Sequence, residues 1–180
     1  MRGPFATTPP MRNIELKARL TDIFEAARVC ENIGAIFQRD IRQTDTYFNV
    51  PSGRLKLREN DPGDTELIFY HRADLPGSKA SDYEIAPGSR ELGDVLARAL
   101  GVRVVVRKVR RLWLWHNVRI HLDTVEHLGT FIEFEAVLRG ALDDADGHRK
   151  VADLRRSFAI VDFDLLVCSY VDLLVAQRQT

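Results

Sequence analysis

The sequence predicts an α+β protein centred on an eight-stranded antiparallel β-sheet closed into a tunnel, with helices on its flanks. Three observations predict it. Eight segments alternate polar and apolar residues with the period of two that belongs to strands. Most neighbouring segments are joined by short, turn-rich loops, which favours antiparallel pairing over βαβ winding. Finally, eight long twisted strands favour closure over a flat open sheet.

The first strand is "RNIELKARL", with Asn13, Glu15, Lys17 and Arg19 on one face and Ile14, Leu16, Ala18 and Leu20 on the other. "TDIFEAARVCENIG" follows with helical spacing, a Thr21 or Asp22 cap and a Gly34 stop. "FQRDIRQTDTYFNV" runs as a long strand into the turn "PSG", and "RLKLRE" returns from it as a hairpin. The "NDPGD" loop leads into the strand "TELIFYHR", and the loop "ADLPGSKAS" into the strand "DYEIAP". "SRELGDVLARALG" is a helix capped by Ser89 and ended by Gly101. Three strands complete the sheet: "VRVVVRKVRRLWLW", "VRIHLDTV" and "GTFIEFEAVL". Two further helices are predicted, in "GHRKVADLRRSFA" and "DLLVCSYVDLLVAQ".

Residues 1–10, "MRGPFATTPP", lack periodicity and read as a disordered leader, so the folded unit is a single domain over 11–180 and its start codon is Met1 or Met11. The 26 basic and 26 acidic residues cancel, which argues against nucleic-acid binding through bulk charge. No apolar run approaches a membrane span and no secretory segment is evident, so a cytoplasmic protein without membrane contact is expected. Cys30 and Cys168 lie far apart in apolar helical patterns and are read as buried free thiols.

Function must then lie in local charge. Arg54, Lys56 and Arg58 share one strand face, as do Lys108 and Arg110, then Arg119, His121 and Asp123, and finally Glu133 and Glu135. Any one of these faces would suit the wet side of a sheet. Together they segregate by sign from strand to strand, which suggests convergence on one ligand inside a closed sheet. Arginine and lysine in a confined site suit a polyanion, and carboxylates two residues apart suit Mg²⁺ or Mn²⁺. His121 alternates inward and is a candidate for proton transfer or for a structural hydrogen bond.

These blocks resemble a known family. "NIELKARL" is similar to the Glu-x-Glu-x-Lys signature of the CYTH domain of triphosphate tunnel metalloenzymes, and "DTYFNVPSGRLKLRE", "RKVRRLWL", "VRIHLDTVEHLGTFIEFE" and "SYVDLL" resemble its later blocks in the same order. The appearance is that of the class IV adenylyl cyclase-like branch. The resemblance implies a CYTH-like barrel that binds a small-molecule triphosphate, ATP or a polyphosphate, with Mg²⁺ or Mn²⁺. It implies Glu15, Asp123, Glu133 and Glu135 as metal carboxylates. Lys17, Arg54, Lys56, Arg58, Arg110 and Arg119 would grip phosphates, with Arg72, Lys79 and Lys108 as further candidates, and Lys17, Arg58 and Arg119 would be catalytic. Lys79 is expected in the loop before "SDYEI", near the tunnel mouth. Asn13 departs from the signature by standing at its first glutamate, which removes one acid from the metal site. The implied activity is conversion of ATP to cyclic AMP and pyrophosphate. The alternatives are hydrolysis of tripolyphosphate, thiamine triphosphate or a nucleoside triphosphate, and a non-catalytic binding module. Tyr47, Phe48, Tyr70 and Tyr83 are candidate walls for a nucleoside or else core residues, and a homodimer is compatible with the branch.

Overall fold

A computed structural model describes residues 11–72, 78–138 and 143–177. Eight strands close into a barrel: β1 (Met11–Arg19), β2 (Ile36–Phe48), β3 (Arg54–Asp61), β4 (Thr65–Arg72), β5 (Lys79–Pro87), β6 (Val102–Trp115), β7 (Val118–Val125) and β8 (Gly129–Leu138). Their order around the wall is β1-β5-β4-β3-β2-β6-β7-β8, and β8 pairs back onto β1. Every pairing is antiparallel. The first strand therefore lies between two strands that come much later in the chain. The expected closed antiparallel tunnel is the observed fold.

Two helices cover the outside of β1, β7 and β8. Helix α1 (Ile23–Asn32) is capped by Asp22, whose carboxylate accepts the amides of Phe24 and Glu25, and it buries Ala26 and Cys30. Helix α3 (Asp144–Ser157), numbered after α2 (Arg90–Leu100), lies against β8 and β1 and buries Val151 and Leu154. The outward residues of the strands beneath, Ile14, Leu16, Ala18, Ile120, Leu122, Ile132, Phe134 and Ala136, pack with them as one core. Gly147 lets α3 approach closely, because a Cβ there would sit 2.6 Å from Ile14 Cγ1. Ser89 caps α2, and Gly101 ends it at φ +74°, a conformation that favours glycine.

The final segment departs from the predicted continuous helix. A 3₁₀ turn at Asp162–Asp164 is followed by extended chain: Leu165 bridges to Ala18, and the Leu166 amide donates to the Lys17 carbonyl. Helix α4 (Tyr170–Gln177) starts only after Ser169, whose amide and hydroxyl both donate to Asp172. Cys168 accordingly precedes the helix and is half-buried, whereas Cys30 is buried as expected; both are free thiols.

The start of α4 closes one end of the barrel. Leu166, Tyr170 and Val171 pack on Tyr47, Val104, Val106, Val125 and Phe131. By strand alternation, Val104, Val106 and Phe131 share the faces of Lys108 and Glu133, so the barrel interior is apolar where α4 enters and charged beyond it. No described helix is long and apolar enough to cross a membrane.

Candidate active site in the tunnel

The charged faces point inward. A cavity of about 580 Å³ runs through the barrel, lined by Glu15 and Lys17 of β1, Lys56 and Arg58 of β3, Lys108 and Arg110 of β6, Arg119 and His121 of β7, and Glu133 and Glu135 of β8. Ser169 and Tyr170 line its closed end, while the exposed Arg39, Gly63 and Asp64 line the other. Burial of both faces of β1 explains its composition: apolar residues meet the helices and charged ones the cavity.

Three networks organise these charges. The first centres on Asp45, a residue not singled out from sequence. Its carboxylate accepts Arg58 through Nε at 2.7 Å and Nη2 at 2.8 Å, Lys108 at 2.9 Å and Lys56 at 3.2 Å. Burial alone would raise the Asp45 pKa, but Arg58, Lys108 and Lys56 outweigh it and hold the carboxyl well below its usual range. The lysines respond in the opposite sense. Burial, then the neighbouring arginine, brings Lys56 down to about 8, and Lys108 is brought down by burial to about 7 despite Asp45. Lys56 Nζ also lies 3.4 Å from Tyr47 Oη, which is 3.5 Å from Tyr70 Oη.

The second network is built on β6 to β8. Arg110 makes a two-pronged contact with Asp123, both bonds at 2.7 Å, and reaches Glu133 at 2.9 Å. Tyr170 donates to Asp123 at 2.9 Å, and Lys17 reaches Glu133 at 3.0 Å with its ammonium 3.7 Å over the Tyr170 ring. Asp123 is fully buried and held at about 2 by Arg110 against its burial. It lies beneath the cavity wall rather than in it, as the anchor of Arg110. Glu133 is held well below its usual range, since Lys17 and then His121 and Arg110 overcome its burial.

The third network surrounds Glu135. Asn13 donates its amide to Glu135 and accepts from Tyr83 at 3.4 Å. Arg119 lies 3.3 Å from the same carboxylate. His121 stands between the two acids, Nδ1 at 3.3 Å from Glu133 and Nε2 at 3.7 Å from Glu135, and burial followed by Arg110 lowers its pKa. The departure at Asn13 thus supplies a donor that fixes Glu135.

Among the described residues no group of three or more His, Cys, Asp or Glu side chains is arranged to hold a metal ion by itself. Glu15 and Glu135, however, face each other directly across β1 and β8, and both line the cavity. Like charges at such a pair repel, and a Mg²⁺-type ion needs only one or two protein carboxylates when phosphate and water complete its octahedron. The residues present therefore fit a divalent cation held by Glu15 and Glu135, with Glu133 engaged by Lys17 and Arg110.

The remaining predicted residues fall elsewhere. Arg54 leaves the main cavity, donates to Asp172 at 2.9 Å and lines a smaller cavity of about 140 Å³ with Phe48 and Arg103. Arg72 ends β4 and Lys79 opens β5 rather than lying in the preceding loop; their side chains lie outside the described residues, as does the predicted leader. Tyr47, Tyr70 and Tyr83 line the cavity and Phe48 does not.

A family model described as the CYTH domain matches residues 11–170. The chain belongs to the CYTH family. CYTH membership implies dependence on a divalent metal and is consistent with binding of a triphosphate. A protein of Methanocaldococcus jannaschii, provisionally named an adenylate cyclase, is 20% identical over 172 residues, covering 91% of this chain and 98% of its own length. Solved structures share the CYTH fold. A Pyrococcus horikoshii protein superposes with a TM-score of 0.77 at 24% identity, covering 89% of this chain and 98% of that one. A Hippeastrum protein, described as having a dominant triphosphatase activity, gives 0.63 at 12% identity, covering 94% and 96%.

Proposed function

We propose that the chain is a divalent-metal-dependent triphosphatase that hydrolyses the terminal phosphate of a triphosphate held along the tunnel. The observation that carries this reading is the position of the proton acceptor. Lys56, with its pKa near 8, and Tyr47 lie at the end of the tunnel closed by α4. A substrate entering from the Arg39 end leads with its terminal phosphate, so that group meets Lys56 and Tyr47. There a water can be oriented by the phenol and deprotonated by the neutral fraction of the lysine, in line with the bond to the departing diphosphate.

Arg58, Lys108, Lys17 and Arg110 line the route and offer convergent donors to the phosphate oxygens, the preorganised charge that phosphoryl transfer requires. Arg119, at the other end, suits the phosphate nearest the leaving side. A divalent cation on Glu15 and Glu135 would neutralise charge on the phosphate oxygens. Asp45 and Asp123 hold the cations in place while the site awaits substrate.

Cyclisation of ATP would require its base beside the inner phosphorus and the ribose, towards the open end, where neither Lys56 nor Tyr47 lies. The test is product analysis with ATP and tripolyphosphate in Mg²⁺ or Mn²⁺. Orthophosphate release lost in Lys56→Met supports hydrolysis. Cyclic AMP with pyrophosphate would refute it in favour of the cyclase, and tight binding without products would make the chain a binding module.

A further inference from the structure

The cations of β3 do not stop where the tunnel does. Arg58, Lys56 and Arg54 alternate onto one face of that strand, so they follow one another at intervals of about 7 Å. Arg58 and Lys56 line the main cavity, whereas Arg54 lines the smaller one. Tyr47, paired across strands with Lys56, lines both, so its side chain is the partition between them. Among the described residues its hydroxyl has two contacts, Lys56 Nζ at 3.4 Å and Tyr70 Oη at 3.5 Å, both too long to pin it firmly.

The smaller cavity is fitted to an anion. Arg54 enters it from β3 and Arg103 from β6, and among the described residues no acid lines it. Asp172 accepts from Arg54 Nη2 at 2.9 Å but stands 3.8 Å from Arg103, beyond hydrogen-bond reach. The same carboxylate also accepts the amide and hydroxyl of Ser169. A guanidinium carries five N–H donors in a planar fork that matches a pair of phosphate oxygens, so Arg103 can serve an oxyanion while Asp172 keeps its other partners. At about 140 Å³, roughly a quarter of the 580 Å³ tunnel, the space suits a single tetrahedral group and not a chain of three.

Resting on the triphosphatase reading, we infer that this cavity is a second site, for orthophosphate, and the exit by which that product leaves. Hydrolysis at the closed end leaves orthophosphate behind the diphosphate, which blocks its way to the mouth. The next cation along β3 is Arg54, and rotation of the Tyr47 side chain opens the way to it without a break in the barrel wall. The diphosphate leaves separately through the Arg39 end.

Two measurements on the native protein test this. With the tunnel filled by non-hydrolysable imidotriphosphate and Mg²⁺, radiolabelled orthophosphate is expected to bind still; its complete displacement by imidotriphosphate would overturn the second site. During turnover of tripolyphosphate, added orthophosphate is expected to inhibit non-competitively. Competitive inhibition, the pattern of a product that leaves through the mouth, would overturn the exit. Arg103→Met lies outside the tunnel and should weaken orthophosphate binding roughly tenfold, the loss of a charge-assisted hydrogen bond, with kcat/KM for tripolyphosphate unchanged. Orthophosphate bound as tightly by Arg103→Met as by the native protein would refute the assignment of the cavity. Absence of turnover with tripolyphosphate and ATP would overturn the triphosphatase reading and the exit with it, while orthophosphate binding and its loss in Arg103→Met would still uphold the site.

Discussion

Replacing Asp45 with asparagine keeps the shape of the side chain and removes the charge on which Arg58, Lys56 and Lys108 converge. Removing one partner from a buried ion pair costs about 3–5 kcal/mol. At about 2–4 °C per kcal/mol for a chain of this size, the melting temperature should fall by about 6–20 °C at pH 6. The loss should shrink with rising pH. In the folded protein Lys56 and Lys108 titrate near 8 and 7, below their unfolded value of about 10.4, so between those limits the unfolded chain binds more protons and stability rises with pH. Without Asp45 both lysines fall further and shed their charge earlier, leaving Arg58 as the main uncompensated cation. Asp45 itself has a depressed pKa, so its contribution is fully present above about pH 4 and is lost as pH falls through the folded value. Tripolyphosphate can replace the missing anion, so its stabilising shift should be larger in the variant than in the native protein. Melting curves at pH 6 and pH 9, with and without tripolyphosphate, measure all of this. An Asp45→Asn protein that melts within 2 °C of the native one at pH 6, with an equal ligand shift, would refute the counterion role (both bounds being about the scatter expected of a surface substitution).

Three further outcomes are expected. Glu135→Gln should raise the Mg²⁺ or Mn²⁺ concentration needed for half-maximal ligand stabilisation roughly tenfold or more, whereas Glu133→Gln should chiefly lower the melting temperature, because Lys17, Arg110 and His121 converge on it; metal titrations followed by melting separate the two. Gly147→Ala should cost about 1–3 kcal/mol in urea unfolding, since its methyl group would overlap Ile14 where α3 crosses β1. Asp172, whose pKa is held low by Ser169 and Arg54 against its partial burial, should hold α4 in place above about pH 4 and release it as pH falls through the depressed value, which hydrogen exchange in α4 at pH 3 and pH 6 would detect.

The strands were legible because alternation survives on both sides of the wall. β4, β6, β7 and β8 start and end where the pattern predicts, and so does α2 between Ser89 and Gly101. The α4 region was not, because "DLLVCSY" has a helix-like apolar content, and its extended form comes from contacts of Leu165 and Leu166 with β1 that no local pattern encodes. Most of the basic lining was visible as same-face lysine and arginine. Asp45 carries no such signal, because it stands with Asp40 in a mixed polar stretch, although it shares its strand face with Gln43 and Tyr47. Arg54 and Asp123 follow the alternation of their strands, yet lie at the barrel end and beneath Arg110, positions set by packing rather than periodicity.

The pairing of β1 with both β5 and β8 has a consequence for how the protein is made. The opening stave emerges first and must wait for the eighth before the wall is complete, so closure is a late, long-range event of the kind that slows folding. During that wait much of the future interior is a solvated, highly charged surface, and the sticky parts are the outer stripe under α1 and α3 and the interior residues that α4 later covers. Lining the chamber with ions thus also protects the nascent chain from neighbours while its first edge stands unpaired.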